Sequence, residues 1–179
     1  MPMTTNLACA CGTVRLVVER APLISSECYC DSCRDAAGRM ARLPGGRRVD
    51  NAAGGTHFVL YRKDRVRIPA GQDELRAFRV KPGSPTRRVI AACCNTPMFL
   101  EFKGGHWMSL YAGLWPRGTA PAAQIRTMTG DLPEGTVLDD ALPAGAWTTA
   151  GFYARLLAAW IAMGFRSPAV AIEGDELRI

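Results

Sequence analysis

The sequence predicts a mainly β domain of antiparallel strands with one helix near its C-terminal end. Up to about Leu114, short apolar segments are repeatedly broken by Gly and Pro. Leu75-Arg76-Ala77-Phe78-Arg79-Val80 alternates apolar and basic residues, as a half-exposed strand does. After Thr148 the apolar spacing turns helical, and no strand–helix–strand repeat calls for a parallel sheet.

The elements follow in order. Leu7 to Cys9 and Thr13 to Val18 read as strands, and Gly12 suits the positive φ of the turn between them. Asp31 can cap a short helix from Ser32 to Ala37. Further strands are expected at His57 to Tyr61, Arg65 to Ile68, Leu75 to Val80, Arg88 to Ala92, Met98 to Phe102 and Trp107 to Tyr111. Gly54-Gly55, Pro69-Ala70-Gly71 and Lys81-Pro82-Gly83 are turns between them. From Pro116 to about Ala146 the chain is rich in Pro, Gly and Ala and reads as an irregular wrap. Thr148 or Thr149 then caps a helix reaching about Met163, with Phe152, Tyr153, Leu156, Leu157, Trp160 and Ile161 as its apolar stripe. Its other face is Ala and Gly with Arg155 as the sole charge, so the helix should be buried, on the sheet or in a homodimer contact. Residues 1–115 thus form a β domain, and 116–179 a segment and helix packed on it as one globular unit.

Composition narrows the function. A chain of 179 residues, 48% hydrophobic, buries a real core and is not disordered. The net charge of +6 comes from 19 Arg against three Lys, but the arginines are spread out, with pairs only at Arg47-Arg48 and Arg87-Arg88. No helix-turn-helix pattern or aromatic–basic platform accompanies them, so no nucleic-acid partner is expected. No apolar stretch reaches the roughly 20 residues of a membrane span. Met1 to Asn6 lacks a basic region followed by an apolar run, which predicts a cytoplasmic protein without a signal peptide.

The chemistry lies in the cysteines. All seven fall in three groups: Cys9-Ala10-Cys11, Cys28-Tyr29-Cys30-Asp31-Ser32-Cys33 and Cys93-Cys94. In a reducing compartment such clusters hold soft metals, above all zinc, and an odd count resists complete pairing as disulfides. Cys9 and Cys11, joined by a pair from another loop, would make a closed Cys₄ site that serves the fold. Cys28, Cys30 and Cys33 offer three ligands, either with a fourth position open for chemistry or closed by a further cysteine. Cys33 would sit in the first turn of the short helix, where the helix dipole favours its thiolate. Arg34 beside it could stabilise a thiolate or bind a carboxylate; its ordinary role would be a surface salt bridge. His57 and His106 are read as surface or hydrogen-bonded residues rather than ligands.

Cys9-Ala10-Cys11-Gly12, Cys28-Tyr29-Cys30-Asp31-Ser32-Cys33-Arg34 and Cys94-Asn95-Thr96-Pro97, in that order over about residues 6 to 114, resemble the glutathione-dependent formaldehyde-activating enzymes and the related centromere protein V-like proteins. The resemblance implies a zinc-stabilised β-tent fold with one or two zinc ions per chain. It implies a structural site from Cys9, Cys11 and the downstream pair, and a catalytic site from Cys28, Cys30 and Cys33. It further implies carbon–sulfur lyase chemistry on an adduct of a small aldehyde with a thiol such as glutathione, whose carboxylate is one that Arg34, read from its place beside Cys33, could bind. The alternative is a non-catalytic, zinc-stabilised binding module. Where the family has C-x-x-C-G, this chain has Ala91-Ala92-Cys93-Cys94-Asn95. Either Cys93 replaces the thiol missing at Ala91, or Cys93 and Cys94, on opposite faces of a strand, serve different sites.

Overall fold

The computed structural model describes residues 3–173 and 176–179. It is mainly β, with two mostly antiparallel sheets. The smaller sheet orders β1 (Thr4–Ala8), β2 (Arg15–Glu19) and β5 (Val66–Ala70) side by side. The larger contains β3 (Ile24–Cys28), β4 (Thr56–Arg62), β6 (Leu75–Phe78), β7 (Thr86–Ala91), β8 (Thr96–Phe102), β9 (Trp107–Tyr111) and β10 (Ile125–Thr127). Its order is β10-β3-β4-β9-β8-β7-β6, and only the β10–β3 pair is parallel.

Side-chain alternation divides the interior into two cores, one on each face of the larger sheet. On β4, Val59 and Tyr61 join Leu7, Leu16 and Val18 of the smaller sheet in the first core. Phe58 and Leu60, one residue out of phase, face the second core with Ile24, Ala36 and Met40. Strand β7 divides likewise, Val89 and Ala91 to the first core and Ile90 to the second. Covered on both faces, the sheet reads in places as continuous apolar runs, such as Phe58-Val59-Leu60-Tyr61. One charged exception is paired: Glu101 on β8, 6% exposed, accepts hydrogen bonds from Arg87 across the strand pair and lies 3.4 Å from Lys63.

Helix α1 (Asp31–Ala41) covers the second face through Cys33, Ala36, Ala37 and Met40. It outruns the expected Ser32 to Ala37. Its N-cap is Cys30, not Asp31, whose carboxylate pairs with Arg34 one turn on. Helix α2 (Ala146–Ala162) begins after Gly145, and Thr148 hydrogen-bonds back to the Ala144 carbonyl instead of capping. Burial all round is not what α2 shows. Leu156 and Ala159 are buried, whereas Tyr153, Leu157 and Ile161 are each more than half exposed. The helix packs against β10 at the sheet's edge, so only one stripe of it meets protein.

Two strands escape the sequence pattern. β3 reads Ile24-Ser25-Ser26-Glu27-Cys28, yet Ser25 and Ser26 are buried. The Ser25 hydroxyl is satisfied by His57 Nε2 at 2.7 Å and the Pro121 carbonyl at 2.9 Å. β10 lies inside the expected irregular wrap, held on β3 by Arg126, whose guanidinium pairs with Glu27 and Asp139. Neither segment alternates in a way that announces a strand.

Candidate functional site

Two loops bring four thiols together. After β1 the chain turns tightly: the Gly12 N–H donates to the Cys9 carbonyl, the Cys9 N–H to the Val14 carbonyl, and Gly12 has φ +81°. This places Cys9 and Cys11 side by side, their sulfurs 3.4 Å apart. The second loop is the turn between β7 and β8. There the Cys94 N–H donates to the Ala91 carbonyl, and Asn95 takes the left-handed φ of 53° that Asn tolerates. The Ala10 N–H bonds to Thr96 Oγ1 at 3.0 Å and clasps the loops together.

Within this turn, adjacent side chains no longer alternate as on a strand. Cys93 and Cys94 therefore both reach the Cys9–Cys11 loop, and Cys93 does not turn toward Cys28. Cys93 Sγ lies 3.3 Å from Cys11, 3.8 Å from Cys9 and 3.9 Å from Cys94. All four sulfurs lie within 4.8 Å of one another. A tetrahedral zinc with sulfur ligands sets them about 3.8 Å apart, so the donor set fits such an ion. Ala91, in the position of the lost family cysteine, is fully buried in the first core.

The second cluster lies on the other face of the sheet, where β3 runs into α1. Cys28 ends the strand, Cys30 is the N-cap, and Cys33 sits in the first turn with its N–H donating to the Cys30 carbonyl. Cys28 Sγ is 3.5 Å from Cys30 and 3.6 Å from Cys33, and all three sulfurs fall within 4.8 Å. No fourth Cys, His, Asp or Glu joins them among the described residues. This set also fits a soft ion, with one position left to a ligand from outside.

The thiols share protons unevenly. Hydrogen bonds from Cys28 and Cys33 pull Cys30 down to about 2, whereas the contact with Cys30 pushes Cys28 up to about 11, and contacts with Cys28 and Cys30 together with desolvation raise Cys33. In the four-thiol cluster, hydrogen bonding with Thr13 lowers Cys11 to about 6 while desolvation raises Cys9 and Cys93. In each cluster some thiols thus lose the proton more readily than their neighbours, and a divalent ion would displace the remaining protons.

Beside the three-thiol cluster is a cavity of about 310 Å³, bounded by the thiols, by Phe58, Leu60, Leu100 and Trp107 of the sheet, and by Phe152 of α2. Arg88 lines it too, on the β7 face that carries Ile90. Arg88 is 1% exposed. Its Nη2 donates to the Ser32 carbonyl at 2.9 Å and to Ser32 Oγ at 2.7 Å, while Nε and Nη1 have no partner among the described residues. The sequence hint was slight: a charged residue in phase with Ile90 on a strand buried on both faces.

Arg34 is placed differently. It donates to the Tyr29 carbonyl at 2.7 Å and the Asp131 carbonyl at 2.7 Å, pairs with Asp31, and does not line the cavity. His57 is tied to Ser25. His106, far from a surface residue, is 5% exposed, stacked on Trp160 and edge-on to Trp107.

The family model described as glutathione-dependent formaldehyde-activating enzyme matches residues 4–129. No curated protein matches the chain. A crystal structure of a Rhodobacter sphaeroides protein is similar at 15% identity and a TM-score of 0.46, over 65% of this chain and 92% of that one. The family match runs from β1 to just beyond β10 and takes in all seven cysteines, and this chain belongs to the glutathione-dependent formaldehyde-activating enzyme family.

Proposed function

We propose that this protein is a zinc-dependent carbon–sulfur lyase that makes or breaks the bond between a small aldehyde and a thiol such as glutathione. The observation that carries the reading is the three-thiol cluster of Cys28, Cys30 and Cys33, opening on a cavity with no fourth protein ligand in reach among the described residues. Zinc bound there would supply Lewis acidity to an oxygen or sulfur of the ligand and favour the thiolate over the thiol. In the forward direction the thiol sulfur bonds to the carbonyl carbon, the carbonyl π-electrons pass to oxygen, and the thiol proton ends on that oxygen. The addition needs no oxidant or reductant.

The protein's own residues supply the setting. Cys28, Cys30 and Cys33 would hold the ion from a strand end and a helix start, both fixed by packing, so the open position keeps its direction. Phe58, Leu60, Leu100, Trp107 and Phe152 line the cavity with apolar surface and limit water around the reacting atoms. Cys9, Cys11, Cys93 and Cys94 would bind a second ion that ties the loop after β1 to the β7–β8 turn and serves the fold alone.

The test is exchange between formaldehyde and its glutathione adduct, followed by NMR on zinc-loaded protein, with Cys28→Ser, Cys33→Ser and Cys9→Ser compared. The proposal expects Cys28→Ser and Cys33→Ser to lose catalysed exchange while keeping a cooperative melt, and Cys9→Ser to lose stability. If Cys28→Ser unfolds the protein as badly as Cys9→Ser and the wild type does not accelerate exchange, the protein is a non-catalytic zinc-stabilised module.

A further inference from the structure

We infer that Arg88 is the anion-binding residue of the cavity beside Cys28, Cys30 and Cys33, and that it takes a carboxylate carried by the thiol ligand. The inference rests on the reading of that cavity as a thiol site.

The first observation is a buried cation that has no carboxylate partner among the described residues and has the Cys30 thiol near it as a possible counter-charge. A guanidinium cannot shed its proton at any ordinary pH, so Arg88 is buried as a cation. Burying a cation without an acceptor costs several kcal/mol, and proteins seldom leave it so. Yet Nε and Nη1 lack any hydrogen-bond acceptor, the thiol sulfurs included, among the described residues. No Asp or Glu among the described residues lines the cavity. Every other buried arginine or lysine here has a carboxylate: Arg126 has Glu27 and Asp139, and Lys63 has Glu101.

The second observation is that Arg88 is held in place. Its two bonds to Ser32 fix the guanidinium against the first turn of α1. That helix has eleven residues, and its N-cap Cys30 provides no side-chain hydrogen bond. The positive end of the helix and the Arg88 cation therefore act on the same side of the cavity, an arrangement that favours a bound anion. The rest of the lining is apolar or hydroxyl-bearing, and a cavity of about 310 Å³ suits a small ligand or one arm of a larger one. A guanidinium matches the geometry of a carboxylate, and apolar walls strengthen their attraction.

The test compares two ligands that differ in one charge. Binding of 3-mercaptopropionate and of 3-mercaptopropionamide to zinc-loaded protein is measured by calorimetry and by tryptophan fluorescence, with propionate as a control lacking the thiol. The wild type should prefer the carboxylate by about tenfold or more, the scale of one charge-assisted hydrogen bond. Arg88→Gln should abolish that preference, whereas Arg88→Lys should keep part of it. Should Arg88→Gln fail to fold because the tie to Ser32 is lost, the ligand pair on wild type still decides. Equal affinity of the wild type for both thiols overturns the inference and leaves the thiol site standing. Arg88-dependent binding of propionate with no gain from the thiol sustains the inference and removes the thiol reading. Lower zinc affinity in Arg88→Gln with unchanged ligand preference would make Arg88 only a counter-charge to the thiolates, and also overturns it.

Discussion

Replacing Cys93 by Ser tests the two-site arrangement at the residue where this chain departs from its family. Cys93 Sγ is within 4 Å of the sulfurs of Cys9, Cys11 and Cys94, so it completes a four-thiol set rather than decorating one. Structural zinc sites bind with about 10–16 kcal/mol near neutral pH. Shared over four ligands, one thiolate accounts for about 2.5–4 kcal/mol, or about two to three factors of ten in affinity. A serine hydroxyl at that position replaces little of this, because it is a hard, neutral donor. Competition with a chromophoric chelator should therefore show one tight ion weakened by that factor and the ion at Cys28, Cys30 and Cys33 unchanged. The reasoning is refuted if Cys93→Ser leaves the tighter ion within about threefold of wild type, or if it weakens the ion of the Cys28 cluster instead.

Other perturbations follow from packing and charge. His106 has its pKa lowered by burial, and His57 likewise, so the unfolded chain takes up protons before the folded one does. Stability should be full above the ordinary histidine value of about 6.5 and fall as pH drops toward the lower folded values; in thermal melts from pH 8 to 5, His106→Phe should flatten that slope. Gly71→Ala should cost about 2–4 kcal/mol in denaturant melts, because φ there is +72° and a Cβ would lie 2.6 Å from the Thr13 carbonyl oxygen. Arg126→Ala removes the ion pairs holding β10 on β3 and leaves Glu27 largely buried. It should lower stability by about 1–3 kcal/mol and raise hydrogen exchange in 125–127.

Much of this architecture is legible in the sequence. Its illegible parts share one cause: they are held by polar contacts rather than by apolar pattern. Strands such as Met98 to Phe102 and Trp107 to Tyr111 announce themselves because both faces of the large sheet are covered and all their residues but Glu101 and Ser109 are apolar. β3 does not, because Ser25 and Ser26 are buried through hydrogen bonds that only the fold brings together. β10 is three residues long and depends on Arg126, whose partner Asp139 lies 13 residues further on. The cysteine clusters are plain in the sequence, but the fate of Cys93 is not. Strand alternation would send it away from Cys94, and only the turn at 92–95 brings both thiols to one loop. Arg88 is the least visible, because nothing in the sequence says that its guanidinium meets no carboxylate among the described residues.

The central claim is that this chain holds one closed and one open thiolate metal site on opposite faces of a single sheet. Cadmium takes the same soft ligands as zinc, and its chemical shift reports the number of sulfurs bound. Cadmium-113 NMR of the loaded protein should show two resonances, one at the position of four sulfurs and one at that of three. Only the second should move when a thiol ligand is added. A single resonance, or two four-sulfur resonances indifferent to thiol, would contradict the account.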